Sequence, residues 1–594
     1  MSSFKLEDYG LRFRPKLDTS DNTYYGEDSI ANIIMKTRST EENSKKIELY
    51  LQAIEPFDIF YKAGLLLPNI EEACNTIMNS MDNNGRIVEV CDFDNDGLNS
   101  GAVVNKAFLY GIGYKNVTTI CTRRKQGTGI TNRVVEQILA MHGEANIDVL
   151  LVTDHGSNDI ESYAIIKEKI PNIKIIVMDH HEVQDEENSK KYIDHLINPM
   201  LKSQPAFLEQ EGEISGCSVS YLTMLVLSKK LDILKDKTAY MVMRALLINN
   251  MTTVISDVMD VSTPLNRLFV KVGLDVMNSN IDKMWMARAY ICGLPTNYRY
   301  KDISFNIAPM VNTGNRLDSE NVALSFLMTD DIEHLKFIGN KLSDLNSYRK
   351  MTIGTVASRA EQLMVGIDGE PTSGIVMLID TKEAIGGIVA ARIGEKYNLP
   401  AICFNSSVSG ILTGSCRGIV KDFSILHILE KIAQADDSII VGYGGHTGAA
   451  GVSIYNNKLE IFAELFYKYC KEELDKLEKD DMIDVDLVYV PDGTDFINKL
   501  ANSIEKVSPY GKRWPEPVIV SEFKVSDIRT FSGDQHRISV YIDGFFEIDF
   551  SYYGNIDFTI GDKIIVAYKI NTKVIKREVK NLLDPILMKK IKDV

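Results

Sequence analysis

The chain of 594 residues has only eight cysteines, with no CxxC pair and no even spacing among them. That argues against both a disulfide framework and a cysteine-ligated zinc site. Long apolar runs are missing too. No run reaches the roughly 18 residues that a membrane span needs, so no membrane partner is expected. The opening stretch "MSSFKLEDYGLRFRPK" lacks the apolar core of a secretory signal, and the expectation is a cytoplasmic protein. Excess basic charge is also absent. A net charge of −16 predicts weak non-specific attraction to a polyanion. Local basic patches remain open at "TRRKQGTG" (122–129), at "YGKRWP" (510–515) and around Lys569, Lys573, Lys576, Arg577 and Lys580. No internal repeat or low-complexity tract occurs. What is present is a globular composition, 45% hydrophobic and 25% charged. At usual domain sizes the length suits about three to four domains.

Three segments share one pattern. "RIVEVCD" (86–92), "IDVLLVTD" (147–154) and "IKIIVMD" (173–179) are short apolar, β-branched runs that stop at an aspartate. Continuous runs of this kind suit strands buried on both faces of a parallel sheet. The amphipathic stretches between them, 100–113 and 131–143, read as crossover helices, which gives a βαβα alternation. In open parallel sheets the carboxyl ends of the strands line the ligand crevice. The pattern would therefore gather Asp92, Asp94, Asp96, Asp154, Asp179, His180 and His181 around one crevice. An aspartate after a strand often only starts a turn or caps a helix. Three consecutive strand ends, one followed by a His-His pair, ask for more. Clustered carboxylates repel when desolvated, and divalent cations relieve that repulsion. Aspartate with some imidazole suits manganese, magnesium or iron.

The stretch "VCDFDNDG" (90–97) also has the spacing of a calcium-binding EF-hand loop. Position 12 of such a loop would be Val103 rather than glutamate, and a strand rather than a helix precedes it.

"DFDNDG", "VTDHG", "MDHHE" and "VISDVMDV" resemble, in order, the four motifs of the DHH phosphoesterase superfamily. Further segments are similar to its RecJ branch: "TRRKQGTG", "SDVMDVSTPLNRLFVKVGL" (256–274), "APMVNTGNRL" (308–317) and "SPYGKRWPEPVIV" (508–520). "GGIVAARIGEKYNLPAICF" (386–404), "GSCRG" (414–418) and "GYGGHTGAAG" (442–451) resemble the DHH-associated domain. The resemblance spans roughly residues 50–594. Departures include Asn95 inside the first motif, His155 where the second motif has asparagine, Asn315, Ala384, "GTG" in place of "GYG", and a missing asparagine in "GKRWPEP".

The resemblance implies a metal-dependent 5′→3′ exonuclease that hydrolyses single-stranded DNA, with two Mn²⁺ or Mg²⁺ ions. It implies that Asp94, Asp96, Asp154, His180 and Asp257 are ligands, with Asp154 bridging and Asp92 as ligand or support. His181 would contact the scissile phosphate or leaving oxygen, and Asp179 would orient a histidine. Arg123, Arg316 and Arg392 would contact nucleic acid, as would Ser415 and Arg417 in "GSCRG" and Gly445 and His446 in the glycine-rich stretch. That stretch fails both the dinucleotide and P-loop patterns, and its other reading is a tight strand–helix turn. His155 stays open between ligand and supporting residue. His142, His195, His334, His427 and His536 read as structural or surface.

The expected architecture is α/β. A lead-in (1–50) precedes a parallel-sheet metal-binding domain (51–330). A connecting helix (331–365) leads to an α/β DHH-associated domain (366–480), and an OB-like β-barrel (481–594) closes the chain. In the barrel, Phe545, Phe546, Tyr552 and Tyr553 could stack bases or fill a core. Expected partners are single-stranded DNA and a single-strand-binding protein or helicase, with the chain itself a monomer. Competing readings are an oligoribonuclease or cyclic-dinucleotide phosphodiesterase, and an inactive replisome scaffold of the same superfamily.

Overall fold

The computed structural model describes residues 5–13, 27–53, 55–123, 127–294, 296–316, 322–366, 369–379, 385–406, 410–477, 482–493, 495–531, 535–542, 546–553, 555–575 and 578–591. After a short strand β1 (Leu11–Phe13), the β-branched runs build the first sheet. Its strands are β2 (Ile87–Cys91), β3 (Val117–Cys121), β4 (Val149–Thr153), β5 (Lys174–Met178) and β6 (His195–Ile197). All are parallel, in the order β3-β2-β4-β5-β6. Val88, Val90, Leu150, Val152, Ile175 and Val177 join one core, while Ile87, Cys91, Val149, Leu151 and Met178 join another. Burial on both faces is why these runs are continuous rather than alternating.

The expected crossover helices form at Asn95–Lys106 and Asn132–Glu144. The first begins earlier than its apolar run because Asp94 caps it, accepting hydrogen bonds from the amides of Asp96 and Gly97. The setting is strand then helix, which removes the EF-hand reading.

Register does the placing. Cys91 pairs with Cys121 and Thr153, and Thr153 pairs with Met178. The residues that follow, Asp92, Thr122, Asp154 and Asp179, therefore stand in one row at the carboxyl edge. The chain leaves β2 for β3 on one side and then crosses to β4 on the other. β2 thus marks the switch point at which such sheets bind ligands.

A helix over Ile332–Ser358 leads out of this region. At 1.5 Å per residue it is about 40 Å long. The second sheet comprises β7 (Ile375–Ile379), β8 (Ala401–Ser406), β9 (Ile411–Arg417), β10 (Ile440–Gly445) and β11 (Ala449–Tyr455). Its order is β10-β11-β9-β8-β7, with only β7 and β8 parallel. The glycine-rich stretch 442–451 is therefore the β10–β11 hairpin and not a strand–helix turn. Glycine content alone does not separate the two.

Strands β12 (Ile483–Val485) and β13 (Leu487–Val488) precede an antiparallel sheet of β14 (Ile519–Thr530), β15 (Gln535–Ile542), β16 (Phe546–Tyr553), β17 (Lys563–Ile575) and β18 (Glu578–Lys590). Its order is β16-β15-β14-β17-β18, and β13 adds in parallel to β14. The outer strands β16 and β18 lie against one another. Among the described residues no ladder joins them, so the sheet is not a closed barrel. Phe545 lies outside the described residues, as do the side chains of Phe546 and Tyr553. Tyr552 packs against the core.

Two segments behave differently from their sequence reading. The lead-in is tied to the C-terminal region, because β1 pairs in parallel with β12. The patch "YGKRWP" is partly interior. Trp514 is fully buried with Arg267 4.1 Å and Arg38 5.6 Å from its ring, and its Nε1 donates to the Val507 carbonyl. Arg38 in turn forms a two-pronged pair with buried Asp486, at 2.8 Å on each arm. Among the described residues no helix is long and apolar enough to cross a membrane.

Candidate metal centre

The site begins with Asp154, which follows β4 in left-handed backbone (φ 66°), a region that aspartate tolerates better than most residues. This conformation turns its carboxylate into the interior, where Oδ1 is buried without a hydrogen-bond partner. Gly216 makes room. A Cβ at that position would lie 2.3 Å from Asp154 Oδ1. Gly216 also opens the helix Gly216–Lys230. Its amide and that of Cys217 donate to Asp96 at 2.7 and 3.0 Å, a helix N-terminus holding an anion.

His180 comes from the turn after β5. Its Nε2 lies 3.3 Å from Asp154, 3.7 Å from Asp96 and 3.9 Å from Asp257. Asp257 sits at the C-terminal end of the helix Leu247–Ser256. Asp92 accepts from the Thr122 hydroxyl at 3.0 Å.

Electrostatics set this cluster apart from ordinary surface acid. Burial first, then Asp96, Asp94, Asp92 and Asp257, push the Asp154 carboxyl well above its usual range. Burial and Asp96 push Asp257 up to about 6. Burial also raises Asp92 and Asp96, against the opposing influence of nearby imidazoles. Carboxylates so placed either take up protons or share a cation.

Three sets of side chains each bring their ligand atoms within 4.8 Å of one another: Asp92–Asp94–Asp154, Asp96–His180–Asp257 and Asp154–His180–His181. Asp154 and His180 each belong to two sets. With Asp154 Oδ1 accepting no hydrogen bond, the residues fit a pair of neighbouring divalent ions, and oxygen donors with imidazole suit Mn²⁺ or Mg²⁺.

Asp179 is buried but already engaged. Its Oδ1 accepts from the amides of His180 and His181 and lies 2.8 Å from His181 Nδ1, while Oδ2 accepts from the Ser157 amide. Burial alone would raise Asp179, but the bond to and charge of His181 hold it far below the carboxylate range. Burial likewise opposes ionisation of His181, yet Asp179 pushes its imidazole up to about 9. The His181 ring meets that of His180 edge-on at 4.6 Å.

Several supporting residues escape the sequence reading. Asn95 is buried and donates to the Ser256 hydroxyl at 2.6 Å, tying the first motif to the residue before Asp257. Asn198 donates to Ser157 and to the His181 carbonyl. Gly216 and Cys217 carry a local signal, because "SGCS" starts a helix that Ser215 caps. Nothing local links them to Asp96, 120 residues away.

The expected nucleic-acid contacts fall in two places. Arg123 is exposed directly after Thr122, at the carboxyl edge of the first sheet. Ser415 and Arg417 alternate along β9 towards the start of the helix Gly386–Tyr397, where a Cβ on Gly387 would lie 2.7 Å from Arg417 Nη2. The hairpin turn adjoins them. Ala449 pairs with Arg417, and the His446 amide donates to the Ala449 carbonyl at 2.8 Å. Gly445 has a φ of 138°, and a Cβ there would meet the Ala449 carbonyl oxygen at 2.5 Å, so only glycine suits. Arg392 lies on the helix Gly386–Tyr397, towards which this group of residues faces. The side chains of Arg316 and Asn315, and residues 124–126 and Ala384, lie outside the described residues.

The parallel sheet edged with acids and the mixed sheet with its glycine hairpin fall within two separate family matches. Residues 86–247 match the DHH family, N-terminal domain, and residues 372–472 match the DHHA1 domain. The chain's relatives include the single-stranded-DNA-specific exonuclease RecJ. RecJ of Haemophilus influenzae is 26% identical over 507 residues, covering 81% of this chain and 83% of the relative. RecJ of Escherichia coli is 25% identical over 501 residues, covering 79% and 80%. RecJ of Thermus thermophilus in complex with Mn²⁺ shares the fold at a TM-score of 0.68 and 20% identity, covering 89% of this chain and 72% of the solved one. The Mg²⁺ complex gives 0.67 and 18%, covering 96% and 75%.

Proposed function

We propose that the chain is a metal-dependent 5′→3′ exonuclease that hydrolyses single-stranded DNA to mononucleotides in repair, recombination or replication. The observation that carries this reading is the buried Asp154 carboxylate, whose Oδ1 accepts no hydrogen bond, among four other acids and His180, in a chain similar to RecJ along most of its length. Asp92, Asp94, Asp96, Asp154, His180 and Asp257 would hold two Mn²⁺ or Mg²⁺ ions. When bound, such ions offset charge on the phosphate and acidify water.

The chain's own residues do the rest. The Gly216 and Cys217 amides fix the Asp96 carboxylate, so that it does not reorganise during turnover. Asp179 anchors His181 through Nδ1, which leaves Nε2 to donate to the scissile phosphate or leaving oxygen. Ser415, Arg417, Gly445 and His446 grip backbone phosphates with Arg123, Arg316 and Arg392. Guanidinium suits bidentate phosphate contact, and the glycine hairpin lets backbone approach closely.

The domain plan is lead-in (1–50), catalytic domain (51–330), connecting helix (331–365), nucleic-acid-binding domain (366–480) and OB-like domain (481–594). The last is supported by five long antiparallel strands whose outer pair lie side by side, as in a partly open barrel. A single-strand-binding protein or helicase is the proposed partner of a cytoplasmic monomer.

The test is a substrate panel with Mn²⁺, with Mg²⁺ and with chelator. Metal-dependent mononucleotide release from single-stranded DNA supports the proposal. Release only from short RNA or cyclic dinucleotides replaces it with the phosphodiesterase reading. No release from any substrate favours the inactive scaffold.

A further inference from the structure

Asp159 stands at the N-terminal cap position of the helix Ile160–Lys169, where an aspartate usually accepts from the amides of its own first turn. Here its side chain makes no such bond. It reaches instead to another loop, where Oδ2 accepts from the Ile130 amide at 2.6 Å. The first turn of the same helix adds a second tie, from the Ser162 hydroxyl to the Ile130 carbonyl. Gly129 is shaped to this contact. Its φ is 79°, and a Cβ there would lie 2.6 Å from each Asp159 carboxylate oxygen. Any side chain at Gly129 would therefore push the carboxylate off the Ile130 amide. His155 Nδ1 is 3.8 Å from the same Oδ2, beyond hydrogen-bond distance.

What the carboxylate holds is one end of the basic stretch "TRRKQGTG" (122–129). The other end is fixed at the metal centre. There Thr122 donates its hydroxyl to Asp92 at 3.0 Å and its amide to the Cys91 carbonyl at 3.0 Å. Exposed Arg123 follows directly. We infer that Asp159 is a positioning residue for nucleic acid: by clamping Gly129 and Ile130 it fixes the far end of the stretch, so that Arg123 meets a backbone phosphate at the metal-bearing edge. The inference rests on the single-stranded-DNA reading above. The charge of a carboxylate placed here repels a polyanion, so Asp159 helps binding only through the geometry that it imposes. Acceptor and charge are therefore separable.

The test is fluorescence anisotropy of the full-length protein with labelled single-stranded DNA, in chelator, over a range of salt. Asp159→Ala should raise Kd about tenfold, the scale of one lost charged hydrogen bond. It should also lower the slope of log Kd against log salt by about 0.7, the value for one lost phosphate contact on a single strand. Arg123→Ala should give the same two changes, and the double variant should add little to either. Asp159→Asn keeps an acceptor for the Ile130 amide and should bind at least as tightly as the wild type. Gly129→Ala reaches the contact from the other side and should weaken binding as Asp159→Ala does. Calorimetry should show the same Mn²⁺ affinity in each Asp159 variant as in the wild type. A Kd that does not rise in Asp159→Ala and Gly129→Ala, a salt slope that stays at the wild-type value, or a loss of Mn²⁺ affinity overturns the inference while leaving the nuclease reading standing. A wild type that binds no single-stranded DNA overturns both.

Discussion

Replacing Asp154 with asparagine should stabilise the metal-free protein while removing its response to metal. The Asp154 carboxylate is buried, has one oxygen that accepts no hydrogen bond, and is surrounded by Asp92, Asp94, Asp96 and Asp257. A buried polar group left unsatisfied costs about 1–3 kcal/mol. Asparagine keeps the shape, removes a charge that four neighbours repel, and offers an amide that those neighbours can accept from. It also tolerates the φ of 66°, whereas alanine would add about 1–2 kcal/mol of left-handed strain. In chelator, Asp154→Asn should therefore be more stable than the wild type by about 1–3 kcal/mol. Saturation reverses the order. At a hundred times Kd a bound ion stabilises the wild type by about 2.7 kcal/mol, and the variant should gain little. Urea unfolding in chelator and in Mn²⁺ reads both numbers. A variant that is less stable in chelator and gains as much from Mn²⁺ as the wild type would refute the reasoning.

Arg417→Ala should weaken single-stranded DNA binding by about ten- to a hundredfold, the usual worth of a charged hydrogen bond, with Mn²⁺ affinity unchanged. Fluorescence anisotropy and calorimetry separate the two. Glu89 is buried in β2 beside the Thr119 and Thr153 hydroxyls, and burial holds its carboxyl well above the ordinary value. A folded pKa above the unfolded one gives stability that is present at low pH and lost as pH rises through the folded value. Glu89→Gln should therefore gain on the wild type as pH rises above the ordinary carboxylate range in urea midpoints, and a constant difference would contradict this. Trp514→Ala should cost about 3–5 kcal/mol, because it removes a fully buried ring against which Arg38 and Arg267 pack. A loss under about 1 kcal/mol would mean that the two guanidiniums do not depend on it.

The metal-bearing edge was legible because its signal is local. An apolar run long enough for one buried strand ends in acid three times, and parallel register then aligns the ends without further information. What could not be read depends on distance along the chain. Gly216 reaches Asp96 and Asp154 across the fold, and β1 finds β12 by parallel pairing, which needs no turn between them and so leaves no turn signal. The stretch 442–451 suits a strand–helix turn as well as a hairpin because glycine permits both. Its partner β9, which settles the matter, lies outside the motif. "YGKRWP" has the look of a surface patch because basic residues surround the tryptophan, yet Arg38 and Arg267, from distant segments, bury it. Asn95 is anomalous inside the first motif until its bond to Ser256 gives it a positioning role beside Asp257.

The most direct measurement follows a 5′-labelled single-stranded DNA oligonucleotide in Mn²⁺ and resolves the earliest labelled product. The account predicts labelled mononucleotide from the first time points, none in chelator and none with Asp154→Asn. Labelled fragments that shorten progressively from the 3′ end, or release that persists in Asp154→Asn, would contradict it.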